Sequence, residues 1–193
     1  MRRGAPASFP LTTGLLAAAC LGAGLAGLAP QLAYDRAGIM SGEIWRLWTG
    51  HLVHYSARQL LLDVSMLLVA GWLVEREWGS RTTARIVLLG MPALSAGLLV
   101  SSPHLLEYRG ASGIATLLAL AAATAVWERQ PRARPGLLLL GVALAVKTLL
   151  DALGLSAGLG SLPPEVRVAW QAHLAGAGLG WITARHCLRR AGP

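Results

Sequence analysis

Six stretches of the chain are apolar enough to enter a lipid bilayer, at about residues 11–29, 59–75, 85–102, 112–127, 136–153 and 165–184. A spanning helix takes roughly 20 mostly apolar residues, and in hydrocarbon only a helix or a closed barrel satisfies its own backbone. The segments therefore predict an all-α membrane protein, a bundle of six transmembrane helices. Charge content agrees, because 13% of the residues are charged where a soluble domain carries about 25%. A single membrane domain fills residues 1–193 and leaves no room for a separate soluble one.

Basic residues set the orientation. Eleven arginines fall on one side: Arg2, Arg3, Arg76, Arg81, Arg85, Arg129, Arg132, Arg134, Arg185, Arg189 and Arg190. Five fall on the other: Arg36, Arg46, Arg58, Arg109 and Arg167. Positive residues favour the cytoplasm, so both termini are expected there. The formal net charge of +8 thus reads as topology, and nucleic acid is not an expected partner. Sixteen arginines against one lysine fit a high-GC bacterial coding sequence and hence a bacterial cytoplasmic membrane. Arg2 and Arg3, before a run containing Ala17-Ala18-Ala19, also resemble a secretion signal, and its removal would leave five spans. Cys20 and Cys187 fall near opposite faces and are expected to be free thiols.

Two residues at membrane depth carry a nucleophile and a base. Ser112 opens the fourth segment after Tyr108, Arg109, Gly110 and Ala111, and Gly113 follows it. Such small residues by themselves speak for close helix packing. The segment Ser112 to Trp127, however, is only sixteen residues, about 24 Å of helix against a hydrocarbon core of about 30 Å. Its start is therefore expected below the outer surface, with the loop from Ser101 to Gly110 dipping in behind it. A helix N-terminus offers unpaired N–H groups, which suit a developing oxyanion. His173 lies inside the sixth segment, which runs in the same direction. The two are expected at similar depth, with the small residues Ala172, Gly176 and Gly180 allowing close approach. Serine becomes a nucleophile when such a base takes its proton. This chemistry calls for no metal and no organic cofactor.

Other polar residues have more than one reading. Gln59 and Asp63 share a face of the second segment. Gln59 could donate to an oxyanion, and Asp63 could do so while protonated, or the pair is structural. Lys147 and Asp151 are also four apart, which favours a mutual ion pair with Lys147 reaching to the interface. Asp63, Lys147 and His173 together could alternatively serve a small ion- or proton-coupled transporter. Residues 30–58 mix Trp45, Trp48 and Tyr55 with Arg46, His51, His54 and Arg58 and are expected in the outer interface. His51 and His54 are expected to hydrogen-bond there, since no third metal ligand lies nearby. The Gly/Ser/Pro-rich stretch 154–164 is a candidate lid.

Taken together, these residues resemble the rhomboid intramembrane serine proteases, and within them the rhombosortase branch. Trp45-Arg46 is similar to the family's Trp-Arg signature, and Gly110, Ser112 and Gly113 to its Gly-x-Ser-Gly motif. Ala172, His173, Gly176 and Gly180 match the pattern of its last helix, and Tyr108-Arg109-Gly110 resembles the rhombosortase form. The likeness spans about residues 40–185. It implies a Ser112–His173 dyad, with an oxyanion site drawn from the Ser112 N–H, Gln59 and Asp63. It also implies substrates that are exported proteins with a Gly-rich C-terminal motif, a hydrophobic helix and a basic end, cut on the outer side of the membrane. Two positions depart from the family. Gln59 and Asp63 stand where many rhomboids have His and Asn, and Thr116 stands where an aromatic residue often stacks on the histidine. A rhomboid-like protein that binds transmembrane helices without cutting them is the other reading of this likeness.

Overall fold

The structure is a computed structural model that describes residues 10–155 and 169–191. Within these residues the chain forms nine α-helices: α1 (Leu11–Leu25), α2 (Ala29–Leu32), α3 (Arg36–Met40), α4 (Arg46–Thr49), α5 (Ala57–Trp78), α6 (Ser80–Ser101), α7 (Ser112–Arg129), α8 (Arg134–Ala152) and α9 (Trp170–Ala191). Two short strands, β1 (Tyr34–Asp35) and β2 (Glu107–Tyr108), pair antiparallel with Tyr34 opposite Tyr108.

Each long helix begins where local chemistry allows it. The Ser56 hydroxyl accepts from the Gln59 N–H and caps α5. Gly79, at φ +81°, turns the chain directly from α5 into α6. Pro135 occupies the first turn of α8, where its missing N–H costs nothing. The start of α1 is held from another helix: Glu75 on α5 accepts from the Thr12 N–H at 2.9 Å, the Thr13 N–H at 2.9 Å and the Thr13 hydroxyl at 2.7 Å. Ala17 and Cys20 of α1 lie in the same core as Val64, Leu67 and Leu118, so the first segment is an integral part of the bundle. Cys20 and Cys187 are both free.

Among the described residues, three helical stretches are long and apolar enough to cross a membrane: Ala57–Trp78, Ser80–Ser101 and Pro131–Ala152. Helix α1 is apolar but shorter, at 15 residues. Large apolar side chains point outward along the helices, among them Leu61, Val69, Leu89 and Leu139. This outward apolar surface is what a lipid-facing bundle presents. Helix α7 is central, flanked by α5, α6, α8 and α9, and buries Ile114, Ala115, Leu117, Leu118 and Ala121.

The region expected as an interfacial loop is more built than that expectation. It contains α2, β1, α3 and α4 and is tied down by Arg46, which pairs with Glu43 and donates to the Ala33 carbonyl at 2.7 Å. His51, expected in the interface, is fully buried instead. Its Nε2 lies 3.0 Å from the Met91 carbonyl and 3.0 Å from Ser95 Oγ, and Ser95 in turn donates to Leu47. Packing against α6 drew it inward, a long-range contact that amphipathic spacing does not encode. The candidate lid lies outside the described residues from 156 onward, as do Arg2, Arg3 and Arg167.

Candidate active site

The loop before Ser112 is shaped by the residues of the Tyr-Arg-Gly string. Tyr108 points inward, donating its hydroxyl to the Gly110 carbonyl at 2.8 Å, with its ring edge-on to Tyr34 and His51. Burial pushes the Tyr108 phenol well above its ordinary value, so it remains a donor. Arg109 points the other way, pairing with Glu107 and stacking its guanidinium 4.9 Å from the Tyr55 ring. Gly110 has φ +138°, and a Cβ there would lie 2.6 Å from Gln59 Nε2 and 3.1 Å from Asp63 Oδ2. Side chains rarely adopt that backbone, and a Cβ there would push the Gln59 amide aside. The Gly110 N–H donates to the Gly50 carbonyl at 3.2 Å, which ties the nucleophile loop to the end of α4.

Gln59 and Asp63 both reach this loop from α5. Gln59 accepts from the Tyr55 N–H at 2.9 Å and donates to the Arg109 carbonyl at 3.1 Å. Asp63 accepts from the Ala111 N–H at 3.0 Å, and His54 Nε2 lies 3.3 Å from the same carboxylate oxygen. Both side chains thus hold the backbone on either side of Gly110. His54, read from sequence as an interfacial residue, is packed against this carboxylate, with its side chain only 2% exposed. Its spacing to Asp63 follows no helical repeat, so only the fold reveals the pair.

Ser112 starts α7, and His173 Nε2 lies 3.1 Å from its hydroxyl oxygen. Close helix contact makes that distance possible. A Cβ on Gly176 would collide with the Gly113 carbonyl, and one on Gly180 with the Leu117 carbonyl. On Gly113, a Cβ would sit 3.4 Å from Ala172. Helices α7 and α9 therefore touch backbone to backbone, as small residues permit. Thr116 donates to the Ser112 carbonyl at 2.8 Å and is buried, so it serves its own helix rather than stacking on His173. His173 itself is 8% exposed.

The Lys147–Asp151 ion pair is present, with Nζ 2.6 Å from Oδ2. Asp151 also approaches His173, with Oδ2 3.9 Å from Nδ1. An apolar groove of about 490 Å³ runs between α8 and the bundle, lined by Met66, Leu120, Leu144, Leu149, Trp170 and Leu174 and reaching His173. Among the described residues no three His, Cys, Asp or Glu side chains converge as a metal would require.

A helical bundle with an outward apolar surface, holding a serine at a helix start against a histidine on the next helix but one, defines a multi-pass membrane protein. The Rhomboid domain family matches residues 41–190, and the chain belongs to the rhomboid family. No curated protein matches the chain.

Proposed function

We propose that this protein is an intramembrane serine endopeptidase of rhombosortase type, working through a Ser112–His173 dyad. The observation that carries the reading is the 3.1 Å approach of His173 Nε2 to the Ser112 hydroxyl at the start of α7. Rhomboid family members are typically serine proteases of this kind. His173 takes the Ser112 proton as the oxygen attacks the scissile carbonyl, then returns it to the leaving amine. The Ser112 N–H at the helix start faces the developing oxyanion. Gln59 joins it: an amide carries two N–H groups, and the Arg109 carbonyl takes one. Asp63 acts as the anchor of the Ala111 backbone.

The substrates in this reading are exported proteins ending in a Gly-rich motif, a hydrophobic helix and basic residues. A peptide bond within a lipid-embedded helix is shielded, whereas a Gly-rich stretch unwinds readily and admits the serine. The apolar groove that reaches His173 suits the hydrophobic helix of such a tail. Six spans, both termini in the cytoplasm and a site opening to the outer face of a bacterial inner membrane complete the proposal.

The test is coexpression with a single-span substrate bearing a Gly-rich tail, followed by mass spectrometry of its new C-terminus. Ser112→Ala and His173→Ala are each expected to abolish cleavage while the protein still accumulates in the membrane. Normal cleavage by Ser112→Ala would overturn the mechanism, and pH-dependent ion flux indifferent to Ser112→Ala would favour a transporter.

A further inference from the structure

Helix α8 is inverted relative to a soluble helix. Its buried side chains are Thr148 and Asp151, both polar, while Leu139, Val142, Val146 and Leu149 face outward. A carboxylate turned inward at membrane depth needs partners. Lys147 supplies one, but to a single oxygen and from an exposed position. The other oxygen, Oδ1, is buried without a hydrogen-bond partner among the described residues. So is Nδ1 of His173, on the facing helix. One is an acceptor, and the other must be a donor in the reactive state. A neutral imidazole that accepts at Nε2 carries its proton on Nδ1. The tautomer able to take the Ser112 proton therefore needs an acceptor at Nδ1, and the Asp151 carboxylate stands beside it, with Oδ2, the oxygen that Lys147 also holds, 3.9 Å away.

We propose that Asp151 is a positioning residue for His173: its carboxylate closes onto Nδ1–H, so that Ser112, His173 and Asp151 work as a triad spread over α7, α9 and α8. The inference rests on the protease reading above. The carboxylate holds the imidazole in the tautomer that accepts at Nε2 and stabilises the imidazolium formed when Ser112 loses its proton. Hydrogen bonds between catalytic groups are commonly longer before substrate binds, and a small inward movement of α8 shortens this one. Lys147, bonded to the same carboxylate, holds Asp151 in place.

The test is the rate at which a fluorophosphonate labels Ser112 in the purified full chain in detergent. Asp151→Asn is expected to lower the limiting labelling rate on the order of 10²-fold, with the half-saturating probe concentration unchanged. Asp151→Glu is expected to recover part of that rate. If Asp151 served only to neutralise Lys147, the double variant Lys147→Met/Asp151→Asn would label at the wild-type rate; the triad requires it to stay as slow as Asp151→Asn. The double variant also carries no unpaired lysine, so it is the one to measure should Asp151→Asn fail to fold. A wild-type rate in Asp151→Asn or in the double variant overturns the triad. Labelling that persists in Ser112→Ala or His173→Ala overturns the protease reading itself, a separate outcome.

Discussion

Gly110 places the strongest single-residue demand on the site. Its φ of +138° is unfavourable for any side chain, and a Cβ would press on Gln59 Nε2 at 2.6 Å. Gly110→Ala is therefore expected to cost about 1–3 kcal/mol in backbone strain alone. It should lower the thermal midpoint in detergent and abolish labelling of Ser112; an unchanged midpoint would mean that the loop adopts another path. His51 makes a demand of a different kind, because burial holds its imidazole down at about 4 against an ordinary 6.5. The unfolded chain binds a proton near pH 6.5 that the folded chain refuses until about pH 4. Its contribution to stability is thus intact above pH 6.5 and falls as the pH drops from there toward 4. Midpoints measured across that window are expected to decline, and to decline less steeply in His51→Gln. Equal slopes in the two proteins would assign the acid sensitivity to another group.

At the scale of elements, the contact between α7 and α9 decides whether Ser112 and His173 meet. Gly176 and Gly180 face the backbone of α7, whereas a Cβ on Gly178 would meet nothing within 4 Å. Gly176→Leu and Gly180→Leu are expected to separate the helices and to remove labelling of Ser112, while Gly178→Ala leaves both labelling and thermal midpoint near wild type. The converse pattern would show that α9 approaches α7 by another face. The small-residue spacing was legible in the sequence, since glycines four apart share a helix face. The places of His54 and Asp151 were not. Each reaches its partner across a tertiary contact, His54 to Asp63 over 3.3 Å and Asp151 to His173 over 3.9 Å. No local repeat marks such pairs.

At the scale of the whole molecule, the lipid bilayer acts as the solvent that sorts the side chains. Helix α8 turns leucines and valines outward and keeps Thr148 and Asp151 inside. Both termini are expected in the cytoplasm, from the bias of arginine across the loops. A green fluorescent protein fused after residue 193 should therefore fluoresce, and alkaline phosphatase fused there should be inactive. The reverse pair of results would invert the topology and move the Ser112 loop to the cytoplasmic face.

The sequence by itself determined the membrane class, the approximate positions of the long helices, the serine and histidine worth testing, and the glycines that let them approach. Those properties are local: hydropathy, charge and spacing act along one segment at a time. Tertiary structure alone decided what surrounds the pair. It buried His51 against α6, committed Gln59 and Asp63 to the backbone around Gly110, and set Asp151 beside His173. The physical reason is range. A hydrogen bond between residues 40 to 50 positions apart depends on how whole helices pack, and packing is a property of several segments at once.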